Sequence, residues 1–272
     1  MRLPYLKATS QQTEKSIGSF LGINKNLVIQ ENEFVDMKNM SSDAYPAISV
    51  RQARGDVTKT ITKPNGLFYK NGLMYVDGTN LYYKDKKIAD VTDSRKQIVG
   101  IGAYAVVFPD KLMYNTHTGE LKTMEVTWQQ ASAATFAQTT QGSTLVKISC
   151  TGIGKMFAQY DGVEISGCTN ADFNKFIILQ EVSDNYVIVI GSLSAQFTQA
   201  SGLTIKRTVP DMDFVCENEN RLWGCSSENH EIYASKLGDP ANWNAFEGIS
   251  TDSYAVTVGS DGDFTGCVSH LG

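Results

Sequence analysis

One phrase recurs along this chain and constrains its fold more than any other feature: an aromatic-rich strand, a tight polar turn and a second short strand. Gly72-Leu73-Met74-Tyr75-Val76 followed by Asn80-Leu81-Tyr82-Tyr83 is the first instance, and Tyr104-Ala105-Val106-Val107-Phe108 followed by Lys111-Leu112-Met113-Tyr114 is the second. Asn220-Arg221-Leu222-Trp223-Gly224 with Glu231-Ile232-Tyr233-Ala234 is the third. Leu73 and Val106 stand 33 positions apart, inside the range of roughly 20 to 50 residues that marks repeat architectures.

The richest copy runs from Asp211 to Phe246. Strand-like runs at Phe214–Cys216 and Arg221–Cys225 flank the polar turn Glu217–Asn220, Ser226–His230 makes a second turn, and Glu231–Ser235 restarts a strand. An Asp-Pro step follows, with Asp239 as N-cap and Pro240 in the first helical position of one predicted helical turn. That turn would place Trp243 and Phe246 on one side. Trp223, Asp239, Pro240, Trp243 and Phe246 are therefore expected to be packing residues. Tight hairpins around a buried indole suit the rim of a β-propeller blade better than a catalytic cleft.

From Val106 to Leu222 the interval is too long by a small domain. The intervening stretch lacks the repeat phrase and carries its own strand candidates: Thr144–Ile148, Asp161–Ile165, Phe176–Leu179, Tyr186–Ile190 and Leu203–Lys206. Gly, Asn, Asp and Ser separate them, which predicts a small antiparallel barrel or sandwich with Ile177–Leu179 and Val187–Ile190 in its core. The fold expected is thus all-β, a partial or complete β-propeller with an inserted small β-barrel or β-sandwich domain. The expected divisions are an N-terminal arm and first propeller strands at 1–62, blades at 63–125, the insert at 126–208 and further blades at 209–272.

Composition agrees with an all-β reading. A chain of 272 residues that is 42% hydrophobic can bury a large core and exceeds one typical domain. Twenty-three Gly, 12 Tyr and 12 Phe favour many tight turns joining aromatic strands. The net charge of −5 argues against non-specific nucleic-acid binding, which needs clustered Lys and Arg. Lys84, Lys86 and Lys87 lie in a predicted hairpin tip and read first as a solvated turn.

Cys150, Cys168, Cys216, Cys225 and Cys267 are odd in number and lack paired metal spacing, so free thiols in a reducing cytoplasm are expected. A Cys216–Cys225 disulfide across neighbouring strands is the disfavoured alternative. The segment MRLPYLKATSQQTEK has no apolar run suited to a signal peptide, and no stretch reaches the length of a membrane span. Asn39-Met40-Ser41 matches a glycosylation pattern that matters only in a secreted chain.

Motifs for chemistry fail on inspection. Gly100-Ile101-Gly102-Ala103-Tyr104-Ala105 spells a dinucleotide fingerprint, but that motif must open a helix and here it runs into Val106-Val107-Phe108-Pro109. Gly152-Ile153-Gly154-Lys155 resembles the end of a phosphate loop, with Met156 where Ser or Thr is required and Ser149 where the first Gly belongs. His117, His230 and His270 sit among turn residues with no second ligand at suitable spacing. Asp77-Gly78 and Asp261-Gly262-Asp263 are hairpin turns before they are calcium ligands. No catalytic residue, cofactor or metal is expected.

A second kind of signal precedes the repeats. Gly22-Ile23-Asn24, then ENEFVDMKNMSSDAYP from Glu31 to Pro46 and the following Arg51, together resemble the N-terminal region of a family of tailed-bacteriophage and prophage virion proteins. ENENRLWGCSS from Glu217, EIYASKLGDPANW from Glu231 and DGVEISG from Asp161 look like the same family. The resemblance implies a structural role at the head–tail junction or tail hub, in the manner of head-completion and packaged-DNA stabilisation proteins. It implies assembly in the bacterial host cytoplasm, residence in the virion, other virion proteins as partners, a homo-oligomeric ring and possible contact with packaged DNA.

Three repeat units are recognisable, with Phe264–Ser269 as the first strand of a fourth, whereas propellers close with about four to eight blades. Either the chain is a shortened relative or a partner completes the ring, because exposed strand edges invite association. The alternative function is a carbohydrate-binding or carbohydrate-cleaving propeller at the host surface, which would need aromatic and acidic side chains converging on one face. The sequence scatters them.

Overall fold

A computed structural model describes residues 15–57 and 59–270. The chain divides into two compact units, Met1–Thr60 and Ile61–Gly272. The described residues form an all-β structure whose helical content is one 3-10 turn at Ala171–Phe173.

Among its described residues the first unit has four two-residue strands. β1 (Gly22–Ile23) pairs in parallel with β2 (Glu33–Phe34), and β3 (Met40–Ser41) pairs antiparallel with β4 (Ser49–Val50). The Asn24 side-chain amide donates to Glu33 Oε2 at 2.9 Å, and Phe20 stacks on Phe34 with centroids 5.5 Å apart. Elements this short gain little from ladder bonds, so these side-chain contacts hold the loops together.

In the second unit, three four-stranded antiparallel meanders carry the repeated phrase. Sheet I is β5 (Pro64–Tyr69), β6 (Leu73–Asp77), β7 (Asn80–Tyr83) and β8 (Lys86–Asp90). Sheet II is β9 (Gln97–Ile101), β10 (Tyr104–Phe108), β11 (Leu112–Asn115) and β12 (Leu121–Thr123). Sheet III is β21 (Phe214–Asn218), β22 (Arg221–Ser226), β23 (Glu231–Ala234) and β24 (Tyr254–Thr257). Positive φ at Lys84 and Asp85 (48° and 62°) and at Glu219 and Asn220 (49° and 59°) gives these hairpins the twist that matches their strands.

The repeat extends to single hydrogen bonds. The residue after each last strand returns to the turn opening the third: Val91 N–H to Thr79 O at 2.9 Å, Met124 N–H to Lys111 O at 2.8 Å, and Val258 N–H to His230 O at 2.7 Å. Packing repeats as well. Along β10, Ala105 and Val107 enter a core with Met74, Val76 and Leu81 of sheet I, whereas Val106 and Phe108 enter one with Val215, Leu222 and Tyr233 of sheet III. The two-residue period of the strand thus sandwiches sheet II between its neighbours. First strands lie side by side, β5 by β9 and β9 by β21. The Gln97 amide joins the second pair, accepting from Val215 N–H at 2.8 Å and donating to Asp213 O.

Between sheets II and III the chain forms one curled eight-stranded antiparallel sheet, ordered β13-β20-β16-β17-β18-β15-β14-β19. Its strands are β13 (Val126–Gln129), β14 (Ala134–Gln138), β15 (Leu145–Ser149), β16 (Gly162–Ser166), β17 (Phe176–Ser183), β18 (Tyr186–Ile190), β19 (Phe197–Gln199) and β20 (Thr204–Arg207). The long β17 bends at an irregularity between Leu179 and Glu181, which lets one strand serve both halves of the curl. Its core holds Trp128, Phe136, Ile148, Val163, Leu179, Val189 and Ile205, separate from the cores between the meanders.

The five expected strands are present with ends shifted by a few residues, but β13, β14 and β19 were not anticipated. Ala133-Ala134-Thr135 and Thr198-Gln199-Ala200 are poor in strand formers. Phe136 and Phe197, stacked at 4.5 Å, recruit both strands through tertiary packing.

Candidate functional site

The longest connection in sheet III, residues 235–253 between β23 and β24, meets the curled sheet and forms the most elaborate polar arrangement in this unit. Arg221, buried on β22, holds the connection by donating from Nη1 to Ser235 O at 2.8 Å and to Asp252 O, and from Nη2 to Ser250 O at 2.6 Å. Asp252 closes its far end, Oδ2 accepting N–H bonds from Glu247, Gly248 and Ile249.

Asp239 and Pro240 open one tight turn and no helix: Asp239 Oδ1 accepts from Ala241 N–H at 3.0 Å, Asn242 N–H returns to Asp239 O at 3.4 Å, and the chain then continues without regular structure. Trp243 is 2% exposed, with Nε1 donating to Pro240 O at 2.8 Å, whereas Phe246 is 53% exposed. The two rings therefore do not share a side. The difference follows from the backbone: once helical pairing stops after one bond, the three-residue offset from Trp243 to Phe246 no longer returns to the same face. Trp223 is half-buried and lies parallel to Tyr254 at 6.5 Å, its Nε1 buried without a hydrogen-bond partner.

Asn242, 1% exposed, locks the connection to the curled sheet, its Oδ1 accepting from Gly162 N–H at 3.1 Å and its Nδ2 donating to Tyr160 O at 2.8 Å. Gly162 is required by this approach, since a Cβ there would stand 2.2 Å from Asn244 O. Beside it, Arg207 Nη1 donates to Asp161 Oδ2 at 2.7 Å and Arg207 Nε to Met124 O at 3.0 Å. Lys111 ties both chain crossings to sheet II, reaching Glu125 at 2.8 Å, Asp211 at 2.7 Å and Val209 O at 2.8 Å. Burial opposes its charge, yet the Asp211 and Glu125 carboxylates outweigh that and hold the ammonium above its ordinary range.

A cleft of about 640 Å³ opens here, lined among others by Lys122, Lys155, Asp161, Arg207 and Asp239. Burial, with a smaller push from the charge on Asp161, raises the Asp239 carboxyl above the usual range. Asp161 is already engaged by Arg207 and by Ala158 N–H at 2.9 Å, so the two carboxyls are a fastening rather than a free acid and base. A second, smaller groove of about 480 Å³ exposes Phe176 (52%), Ile190 (53%) and Phe246 (53%). That grouping of large apolar side chains at a junction suits contact with another protein surface.

Other sequence-derived candidates stay apart. Gly100–Ala105 forms the β9–β10 hairpin, with Gly102 at φ 52° in its turn. His117, His230 and His270 are exposed, and among the described residues no group of three His, Cys, Asp or Glu is placed to hold a metal. All five cysteines are free thiols, and Cys216 lies beside Cys267 rather than bonding to Cys225. Among the described residues no helix is long and apolar enough to cross a membrane. The fastening residues Lys111, Arg221 and Asn242 had no signal in sequence, because each works through partners brought together only by the fold.

No protein-family model matches the chain, and no curated protein matches it.

Proposed function

We propose that this chain is a structural component of a tailed-phage virion at the head–tail junction or tail hub, working through protein–protein assembly, and that sheets I to III are blades of a β-propeller. The supporting observation is the apolar surface left on the outer sheets of the stack. Leu67 (68% exposed), Tyr69 (74%) and Leu73 (46%) project from sheet I, and Tyr254 (42%) and Val256 (58%) from the edge strand of sheet III. A stack whose members pack by one repeated face-to-face contact can be continued by another wedge, and an unpaired edge strand favours strand addition.

Neighbouring virion proteins or further copies of this chain in a ring are the partners this surface suits. The net charge of −5 leaves DNA contact to local groups such as Lys84, Lys86 and Lys87 rather than to a general basic field. Replacing Tyr69 and Val256 with Asp tests the reading. The variants should keep the wild-type circular dichroism spectrum and melting temperature yet fail to enter particles; incorporation at the wild-type level would refute assembly through these faces.

A further inference from the structure

We infer that Cys216 and Cys267 form a dithiol–disulfide site that reversibly staples the stretch after β24 onto the outward face of sheet III. The stretch starts at Phe264, seven positions after β24 ends at Thr257, the same step that separates the end of β8 at Asp90 from the start of β9 at Gln97. Val258 and Val91 make the same backbone bond on leaving those strands. Phe264–Ser269 therefore arrives where the first strand of a following meander would arrive, although it has no strand ladder of its own.

Side chains hold it there. Phe264 N–H donates to Ser227 Oγ at 3.0 Å, Ser269 Oγ donates to Asn218 Oδ1 at 2.7 Å, and between them the Cys267 and Cys216 Sγ atoms are 2.9 Å apart. Cys216 pairs in register with Trp223, so the contact sits over a depression of about 260 Å³ lined by Trp223, Ile232 and Val268. Both cysteines are only partly buried, which gives a small disulfide access to them. Burial first, and then Cys216, push the Cys267 thiol up to about 12, which leaves the first attack to Cys216.

The oxidant is a low-molecular-weight disulfide. The Cys216 thiolate attacks one of its sulfurs, forming a mixed disulfide and expelling one small thiolate. The Cys267 proton passes to the expelled small thiolate, and the Cys267 sulfur then attacks the Cys216 sulfur, forming the Cys216–Cys267 bond as the mixed disulfide breaks and the second small thiolate leaves. Two protein thiols are oxidised and one small disulfide is reduced to two thiols. In the reduced state the stretch is held by the Phe264 and Ser269 bonds and by the contacts of the Cys267 sulfur with Cys216 and Trp223 O, and can lift from Trp223 and Ile232; oxidation closes a loop across 51 positions. On the virion reading, the staple would be open during assembly in the reducing cytoplasm and closed in released particles, but its formation does not depend on that reading.

The test uses the purified full chain incubated with oxidised glutathione, then alkylated under denaturing conditions and mapped as peptides without reduction. The expected result is a Cys216–Cys267 cross-link within one chain, with Cys150, Cys168 and Cys225 alkylated. Amide exchange at 264–269 should slow by about tenfold or more and recover with dithiothreitol. Cys267→Ser should abolish both effects and leave the circular dichroism spectrum unchanged. A Cys216–Cys225 bond, a bond between chains, glutathione adducts that do not resolve, or five unreacted thiols would each overturn the inference.

Discussion

Arg207→Met probes the buried ion pair that ties β20 to the start of β16 inside the curled sheet, beside the cleft. Asp161 is 1% exposed, and its Oδ2 is held by Arg207 at 2.7 Å and by Ala158 N–H at 2.9 Å. Methionine retains most of the aliphatic stem and removes the guanidinium, so the carboxylate stays buried with one neutral donor and Met124 O loses its partner. Breaking a buried pair from one side costs about 3–5 kcal/mol. With a urea dependence of about 3 kcal/mol per molar, the denaturation midpoint should fall by about 1–2 M. Asp161→Asn placed in the Arg207→Met background should recover part of that loss, because no charge is then stranded. A midpoint shift below about 0.3 M, or a double variant no more stable than Arg207→Met, would refute the claim that this buried pair stabilises the curled sheet.

Trp243→Ala should cost about 3–5 kcal/mol by denaturant titration, since a ring that is 2% exposed leaves a cavity; full retention of stability would show that the ring is dispensable to the core. The carboxyl of Asp239 is raised in the folded state, so the folded chain binds more protons than the unfolded chain above the ordinary carboxylate pKa, and stability contributed by this group falls as pH rises through that interval. Asp239→Asn should accordingly equal or exceed wild-type stability at pH 7 and lose ground to it as pH approaches 4; the opposite trend in pH-resolved melts would contradict the assignment. Residues 126–208 alone should be soluble and unfold cooperatively, because their core draws on no side chain of the meanders; an aggregated or unfolded fragment would make that core dependent on sheet III.

The meanders were legible because their turns are local. Asn71-Gly72, Lys84-Asp85 and Glu219-Asn220 punctuate strands whose two-residue period shows in the letters. The burial of Trp243 and the turn at Asp239-Pro240 were legible, but that turn stops after one bond and leaves Phe246 exposed. Arg221 takes up the Ser235 and Ser250 carbonyls through long-range bonds that no local propensity encodes, while Asp252 closes the far end locally by accepting from Gly248 N–H. β14 and β19 escaped notice because Phe136 and Phe197 stabilise them only after residues 61 positions apart have met. The contact of Cys216 with Cys267 has the same origin, since 51 positions separate them.

The central claim, that the chain is an assembly part of a virion, is tested most directly by density for it in purified particles reconstructed by cryo-electron microscopy. The account predicts density at the head–tail junction or tail hub into which the three stacked sheets fit as consecutive blades, with Leu67, Tyr69 and Val256 buried against neighbouring protein. Particles that lack the chain, or density in which those three side chains face solvent, would contradict it.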